Sequence, residues 1–393
     1  MNLAPAVDTT STLIAVALVF VAAKVGGEIA TRLGIAPLLG ELSAGALLGP
    51  HALGLIREDQ VVVALADLGV VVLLFAVGLE TDFQRLRAVG IRGVVVGSVG
   101  IVLPFICGAA LMFLTGHDGP TALFVGTALV ATSVGITARV LSDLGLLQRT
   151  ESLIILAAAV ADDVLGLLML AVVVSLGTGI DILRLGLLLL ETLAFVAILL
   201  TVGRMGMRRH GYRVAHLRIP HGALSLALIV MLGLAILAGV IGLAAIVGAY
   251  LAGLLVAELS DEFELKRDVD ALQALLVPFF FVIVGARMDI SGLGDAETLA
   301  LGAVITVIAI LTKLVGCGLA MYGTNLRSAI MVGVGMVPRG EVGLVVATLG
   351  LAAGVIDASL YAAILLMVGA TTIVAPLLIG PVFRTAEPRA SPS

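Results

Sequence analysis

Charged residues are scarce in this sequence. Asp, Glu, Lys and Arg together make up 12% of 393 residues, whereas hydrophobic residues make up 61%. A soluble protein of this length could not hide that much apolar surface in its core. The composition therefore excludes an ordinary soluble protein and predicts an all-α integral membrane protein that lies in the lipid bilayer.

Features that mark other classes of protein are also missing. The two cysteines, Cys107 and Cys317, lie in separate apolar segments without metal-ligand spacing, which argues against a disulfide or a zinc site. Residues 1–12 contain no Lys or Arg, so we expect no cleaved signal peptide and a retained first span. No basic patch with interleaved aromatic residues indicates a nucleic-acid partner.

Apolar stretches of about 20 residues, the length that crosses a bilayer, recur between short polar loops. They predict thirteen transmembrane helices, near 11–31, 36–54, 60–79, 90–115, 120–144, 151–176, 183–203, 221–239, 242–258, 269–286, 298–322, 326–350 and 359–382. Fifteen basic residues fall on one side of this layout and only Arg57, Arg184 and Arg287 on the other. By the positive-inside rule, the N-terminus is outside and the C-terminus is cytoplasmic.

Spans five and twelve are each interrupted at their centre. Gly, Pro, hydroxyl or charged residues break the apolar run over 129–139 in span five and over 334–343 in span twelve. The two spans are seven apart in order, so they cross the membrane in opposite directions. This pattern predicts inverted-topology repeats in which two discontinuous helices cross near the midplane, where freed carbonyls can bind a cation.

Few ionisable residues lie near mid-depth: Asp162 and Asp163 on span six, Lys313 on span eleven, Arg339 and Glu341 on span twelve, and Arg139 in the cytoplasmic half of span five. An ionised group at the bilayer centre costs about 2.5–3.5 kcal/mol on insertion scales, so each needs a partner or a function. Adjacent helical residues point about 100° apart, so one aspartate can pair with Lys313 while the other faces a cavity. Such a pair can also be purely structural, and Arg339 and Glu341 can serve only to neutralise the ends of the unwound segment.

This set of residues suits competition between a cation and a proton. A partly desolvated carboxylate has a raised pKa, which brings proton release towards the physiological range. The deprotonated carboxylate, together with Thr132, Ser133 and carbonyls of the broken helix, offers the hard oxygen ligands that a small cation prefers. A site that holds a proton or a cation, but not both, couples the two fluxes. A buried lysine could release a second proton when its aspartate partner moves to the cation.

Several motifs together resemble the monovalent cation:proton antiporter-2 family. These motifs are Pro37-Leu-Leu-Gly-Glu41, Ala44-Gly-Ala-Leu-Leu-Gly-Pro50, Leu74-Phe-Ala-Val-Gly-Leu-Glu80, Ala131-Thr-Ser-Val-Gly-Ile-Thr-Ala-Arg139, Ala161-Asp-Asp163 and Pro338-Arg-Gly-Glu341. The resemblance covers about residues 15–380. It is closest to the bacterial electrogenic sodium/proton antiporters.

The resemblance implies a homodimer in the cell membrane, with a mobile core that carries its site across the bilayer by alternating access. The implied parts are a dimerisation or scaffold domain (1–89 and 221–290), a core ion-translocation domain (90–176 and 291–383), a linker helix (183–203) and a short cytoplasmic tail (384–393). We expect no soluble regulatory domain in this chain. We also expect no cofactor besides the transported Na⁺ and H⁺.

Residue by residue, the resemblance makes Asp163 the cation and proton site, with Thr132 beside it as a second ligand of transported Na⁺. Asp162 becomes the partner of Lys313, which then acts as a possible proton carrier. Kef-type potassium exporters generally have glutamine before a single aspartate, and electroneutral exchangers have asparagine. The Asp-Asp pair therefore favours electrogenic exchange of Na⁺ or Li⁺ for protons.

Three alternatives remain open on the sequence: K⁺/H⁺ exchange of the Kef type, sodium-coupled symport of an organic solute, and a passive cation channel. An enzyme is disfavoured because no nucleophile and base are paired in the sequence. Glu41 and Asp67 are lone carboxylates in apolar spans, for which packing or gating is favoured over ion binding.

Overall fold

A computed structural model of the chain describes residues 9–33, 36–56, 59–175, 182–207, 209, 221–287 and 296–384. Within these ranges the secondary structure is helical and contains no strand, which confirms the predicted all-helical class. A π-helical turn over Leu199–Gly203 joins the eighth and ninth helices. In chain order the helices are α1 (Thr9–Arg32), α2 (Pro37–Leu48), α3 (Gln60–Glu80), α4 (Phe83–Leu114), α5 (Gly119–Ala128), α6 (Val134–Asp143), α7 (Thr150–Ser175), α8 (Ile182–Ile198), α9 (Arg204–Gly206), α10 (Gly222–Ile241), α11 (Ala245–Phe263), α12 (Leu265–Ala286), α13 (Ala296–Ala320), α14 (Leu326–Gly335), α15 (Glu341–Ala352) and α16 (Ala358–Arg384).

Nine helical stretches in the described ranges are long and apolar enough to cross a membrane. They are α1, α3, α4, α7, the stretch Leu189–Gly206, α10, α12, α13 and α16. Large apolar side chains cover much of their outer surface; Leu114 and Val240, for example, are 86% and 79% exposed. Apolar surface on this scale is stable in contact with lipid but not with water. The chain is therefore a multi-pass helical membrane protein.

The helices group into two compact units. One contains residues 1–73 and 269–291, and in it Gly26 and Gly40 let α1 and α2 approach until their backbones touch. Lys24 on α1 donates from Nζ to the carbonyl of Ala274 on α12 at 2.9 Å. This unit also contains Glu41, which is buried, and Asp67, which is exposed.

The second unit contains residues 74–268 and 292–393 and is organised around α4. Gly97 on α4 faces α7, where a Cβ would lie 2.7 Å from the carbonyl oxygen of Ala158. Gly100 faces α13, where a Cβ would lie 2.6 Å from Sγ of Cys317 and 3.7 Å from Nζ of Lys313. The small residues of α4 thus let both α7 and α13 pack closely against it. The division into two units does not show which part of the chain moves during transport. The boundaries of the scaffold and core domains therefore stay a prediction.

Gly97→Ala should destabilise the protein because the new methyl group would overlap the backbone of α7. Overpacking of this kind costs about 1–3 kcal/mol. We expect a lower midpoint of thermal unfolding in detergent, measured by the loss of the monodisperse peak in size-exclusion chromatography. Gly90→Ala on the same helix is the matched control, since a Cβ there meets no atom within 4 Å. It should leave the midpoint unchanged or raise it slightly through its better helix propensity. Equal midpoints for the two variants would contradict the close packing of α4 on α7.

Two pairs of short helices have matching construction. The first members, α5 and α14, have ten residues each and begin with a side-chain cap: Asp118 accepts from the backbone N–H of Thr121 at 3.0 Å, and Asn325 from that of Ser328 at 2.7 Å. The second members are α6, with ten residues, and α15, with twelve. Five residues separate the members of each pair, 129–133 in one and 336–340 in the other. Both helix breaks fall within the segments for which the sequence predicts an interruption.

Candidate ion-binding site

The two helix breaks touch each other. The backbone N–H of Ser133 in the first break donates to the carbonyl of Pro338 in the second at 2.8 Å. Gly340 packs so closely on Ser133 that a Cβ at position 340 would lie 2.7 Å from its Oγ. The glycine is therefore required by the close approach of the two chains. This contact brings the ends of four short helices to one place.

Two threonines link α6 to the carbonyl end of α14. Thr137 donates from Oγ1 to the carbonyl of Gly335 at 2.7 Å, and Thr132 donates to the carbonyl of Met336 at 3.4 Å. The last carbonyls of a helix lack partners within that helix and must find them elsewhere. The threonine hydroxyls therefore satisfy acceptors that the break in the helix leaves open.

Asp162 uses both of its carboxylate oxygens. Oδ1 lies 2.8 Å from Nζ of Lys313 on α13, and both side chains are completely buried. Oδ2 accepts from the backbone N–H of Thr132, just before α6, at 2.9 Å. The negative charge also lies near the positive end of the α6 dipole, where an anion is stabilised. Asp162 is thus fixed by an ion pair and by the start of α6.

Arg339 is completely buried and binds backbone carbonyls. Its Nη1 donates to the carbonyls of Met336 and Val337 at 3.3 and 3.1 Å, and its Nη2 donates to that of Ala309 on α13 at 3.2 Å. Within the described part of the chain, no carboxylate lies within 4.0 Å of the guanidinium. A cation at the carbonyl end of a helix is stabilised by the helix dipole. Arg339 therefore neutralises the end of α14.

Two threonines on α16 hold the backbone of Arg339. Thr371 Oγ1 accepts from the N–H of Arg339 at 3.2 Å, and Thr372 Oγ1 donates to its carbonyl at 2.9 Å. Sequence reasoning missed both, as it missed Thr137. The available signal was a pair of adjacent hydroxyl residues within a long apolar span. Glu341 is the first residue of α15, and its side chain lies outside the described residues.

Asp163 is half-buried and faces a different environment from Asp162. It lines a cavity of about 10 Å³ on the α7 surface together with apolar side chains and one tyrosine, Tyr250. The apolar lining residues are Leu74, Val134, Leu156, Val160, Ile246 and Val247. By this measure a single water needs about 10–15 Å³, so the cavity suits a species no larger than a water or a small ion.

The first helix break lies beside this cavity. Val134, the first residue of α6, lines it directly, and Gly166, three residues beyond Asp163 on α7, lies against Val130 in the break. Thr132 and Ser133 are both buried between these two points along the chain. The structure therefore brings Asp163 near the break that contains Thr132 and Ser133. It brings Asp162 together with Lys313, and Arg339 together with the second break.

The four helix ends at the crossing differ in which charged residue, if any, lies at the end. Asp162 lies at the start of α6, Arg339 lies at the end of α14, and Glu341 is the first residue of α15. In contrast, no lysine or arginine of the described residues donates a hydrogen bond to the last turn of α5. The carbonyl end of α5, the negative end of that helix dipole, is thus not hydrogen-bonded by a basic side chain of the described residues.

A second, larger cavity adjoins the first. It has a volume of about 640 Å³ and is lined by residues of α4, α7, α8, α9 and α11 and of the π-helical turn. Val160 and Tyr250 line both cavities. Arg87 and Arg204 also line the larger cavity, and the Arg204 guanidinium lies 4.0 Å from the centroid of the Phe83 ring.

Comparison with known proteins gives concordant matches. A family model described as "Sodium/hydrogen exchanger, transmembrane" matches residues 14–385. The Na⁺/H⁺-K⁺ antiporter GerN of Bacillus cereus is 35% identical over 364 residues, which cover 92% of this chain and 93% of GerN. The high-affinity Na⁺/H⁺ antiporter NhaS3 of Synechocystis is 37% identical over 422 residues, which cover 97% of this chain and 91% of NhaS3.

A solved structure, that of the sodium proton antiporter MjNhaP1 from Methanocaldococcus jannaschii, is also similar. It aligns with 98% of this chain and 100% of its own, with a TM-score of 0.74 at 17% sequence identity. At that identity the likeness shows a shared fold. The helical architecture described above is thus one that a solved antiporter also has.

Proposed function

This chain belongs to the sodium/hydrogen exchanger family, and we propose that it exchanges a monovalent cation, Na⁺ or Li⁺, for protons across the cell membrane. The observation that carries the proposal is the division of labour between the two adjacent aspartates. Asp162 is held by Lys313 and by the start of α6, whereas Asp163 faces a small cavity beside the first helix break. Asp162 is therefore fixed by an ion pair, and Asp163 lines a space of about the size of one water or small ion.

In the proposed cycle, Asp163 binds either the cation or a proton. Thr132 and Ser133 supply oxygen ligands from the break, and the negative end of α5 contributes a favourable field for a cation. The hydroxyl of Thr132 donates to Met336 at 3.4 Å, and its oxygen retains lone pairs that can face a cation. Because a protonated carboxylate is a poor cation ligand, the two substrates exclude each other at this site and their fluxes are coupled.

We further propose that exchange is electrogenic and proceeds by alternating access. Among the described groups, the Asp162 carboxylate binds two partners: the ammonium of Lys313 and the backbone N–H of Thr132. If Asp162 leaves Lys313 when a cation binds next to it, the buried ammonium loses its counter-charge and can release a proton. Two protons would then move against one cation. Arg339 and Glu341 neutralise helix ends in this scheme and do not bind the substrate.

The helices support a layout of thirteen crossings. Nine are the long helices, two are the shorter apolar helices α2 and α11, and two are the pairs α5–α6 and α14–α15. The matching caps and lengths of the two pairs support an inverted repeat. We propose that the N-terminus lies outside and the C-terminus in the cytoplasm, and that two copies form a homodimer through the predicted scaffold domain.

Potassium is a second candidate substrate, because the name of GerN includes K⁺ as well as Na⁺. An organic solute is disfavoured by the size of the cavity at Asp163, which is about 10 Å³. A solute of several heavy atoms would need a larger space at that carboxylate. Selectivity therefore concerns small monovalent cations.

The proposal is tested by proton movement in proteoliposomes with a clamped membrane potential and an internal pH dye. We expect Na⁺ and Li⁺ gradients to drive saturable proton movement, choline to drive none, and the rate to depend on the potential. A response to K⁺ equal to that for Na⁺ would favour the second candidate. Cation flux that neither saturates nor moves protons would overturn exchange in favour of a channel.

A further inference from the structure

The larger cavity, of about 640 Å³, combines two arginines with a mainly apolar lining. Arg87 on α4 and Arg204 on α9 line it, and none of its described lining residues is acidic. Six of the remaining lining residues are leucine or valine: Leu86, Val94, Val160, Val196, Leu200 and Leu251. The cavity therefore offers positive charge and apolar surface to the same occupant.

The two arginines lie at the same end of this cavity. The Arg204 guanidinium lies 4.0 Å from the centroid of the Phe83 ring, and Phe83 is the first residue of α4, about one helical turn before Arg87. Arg204 also lines a cavity of about 370 Å³ together with Arg209. Three guanidinium groups are thus gathered where α4 begins.

The apolar part of the cavity has the depth of one leaflet of a bilayer. Phe83 and Val94 both line it, and the helical rise from one to the other is about 16 Å. That is roughly half of the hydrocarbon core, which is about 30 Å thick. Val94 is 49% exposed, and a Cβ at Gly90 would meet no atom within 4 Å. The cavity is therefore open on the outer surface of the helices, which faces lipid.

The charge of the arginines determines which occupant fits. Guanidinium groups repel a cation, so this end of the cavity does not suit the transported ion. They bind phosphate oxygens through paired hydrogen bonds. Inorganic phosphate would satisfy the arginines but would leave the apolar lining in contact with water. A phospholipid supplies a phosphate for the arginines and an acyl chain for the apolar lining.

We propose that this cavity binds one anionic phospholipid, with its phosphate at Arg87 and Arg204 and an acyl chain along Gly90 and Val94. In the proposed topology the start of α4 lies on the cytoplasmic side. Basic pockets between transmembrane helices on that side hold anionic headgroups. The inference goes beyond the exchange function, because it concerns a lipid that stays bound and is not transported.

The test measures the midpoint of thermal unfolding of the purified full chain after extensive washing in detergent. Dioleoyl phosphatidylglycerol should raise the midpoint in a saturable way, because a ligand that binds only the folded state stabilises it. Dioleoyl phosphatidylcholine has the same chains and no net charge, and it should raise the midpoint much less. Inorganic phosphate should not raise it.

Two variants examine the two parts of the cavity. Arg87→Gln should increase the half-saturating concentration of phosphatidylglycerol about 5- to 10-fold. Gly90→Leu should weaken binding as well, because its side chain occupies the apolar part, while the midpoint without lipid stays near that of the wild type. Arg92→Gln is the matched control: Arg92 is exposed on the same helix and is not among the described residues that line the cavity. It should bind the lipid like the wild type.

Each contrary outcome overturns a defined part of the proposal. Equal stabilisation by the two lipids would exclude recognition of the anionic headgroup, and equal stabilisation by inorganic phosphate would exclude a lipid. The same loss in Arg92→Gln as in Arg87→Gln would mean diffuse attraction to the basic surface and no site in the cavity. If Gly90→Leu does not fold, the comparison of these two arginine variants decides. Exchange is measured separately in proteoliposomes, so failure of the lipid site leaves the proposed function intact.

Discussion

Asp163→Asn should reduce cation-driven proton movement to the rate of empty liposomes. Asparagine has nearly the shape of aspartate, but it neither carries a negative charge nor takes up a proton near neutral pH. The cavity at this position offers the cation no other described carboxylate, and Asp162 is already held by Lys313 and Thr132. The substitution therefore removes the cation ligand and the proton acceptor in a single step. The measurement is the dye assay with saturating Na⁺ and Li⁺.

The fold should survive this change. Replacing a half-buried carboxylate by a neutral amide of the same size lowers the desolvation cost of the site. We expect the midpoint of thermal unfolding of Asp163→Asn to equal or exceed that of the wild type. Asp67→Asn is the matched control: it neutralises a carboxylate on α3 that is exposed, and it should keep exchange. Exchange at the wild-type rate in Asp163→Asn would refute the assignment of Asp163.

The helical class could be predicted from the sequence because it has a strong local cause. Long apolar stretches must cross the bilayer as helices, since no water is present to satisfy an open backbone. Pro338 and Gly340 disfavour helix within span twelve for reasons of their own geometry, and the break falls there. The family resemblance is confirmed by the family model, which matches residues 14–385.

The partners of the buried charges depend on tertiary packing. Sequence spacing shows that Asp162 and Asp163 point in different directions, but it does not show which of them faces α13. The orientation of the two aspartates depends on how the helices pack around α4. Gly97 lets α7 pack closely against α4, and Gly100 leaves room for Lys313 on α13. The structure pairs Lys313 with Asp162, at 2.8 Å. The roles of the site residues in transport stay predictions until the variants are measured.

Arg339 shows a further limit of sequence reasoning. A buried arginine suggests a carboxylate partner, yet the Arg339 guanidinium is bound by backbone carbonyls, including that of Ala309 on α13. Every residue type has a backbone carbonyl, so the sequence does not show which residues bind the guanidinium.

Removal of Lys313 should have the largest effect on stability. Lys313→Met leaves the Asp162 carboxylate buried with only the N–H of Thr132 as a described partner. Removing one member of a buried ion pair typically costs about 3–5 kcal/mol, because the remaining charge stays desolvated. We expect a large fall in the midpoint of thermal unfolding in detergent. Lys24→Met is the matched control, since Lys24 is exposed and binds a backbone carbonyl, and its loss should change little.

Neutralising Asp162 as well should recover most of the stability that Lys313→Met loses. In the double variant Asp162→Asn/Lys313→Met, the amide oxygen can still accept from the N–H of Thr132, and no buried charge remains. The midpoint should therefore lie well above that of Lys313→Met and near that of Asp162→Asn. Additive losses across this double-mutant cycle would show that the two charges do not interact in the folded protein.

The same double variant decides whether the ion pair takes part in transport or only supports the fold. If Lys313 releases a proton in each cycle, the variant has one titrating carboxylate left, Asp163, and should exchange one proton for one cation. Such exchange moves no net charge, so its rate should become independent of membrane potential while proton movement persists. If the pair is purely structural, the stable variant should keep the potential dependence of the wild type. Because both proteins are folded in this comparison, a difference in potential dependence can be assigned to the charge that Lys313 carries. An unchanged potential dependence would mean that Lys313 does not release a transported proton.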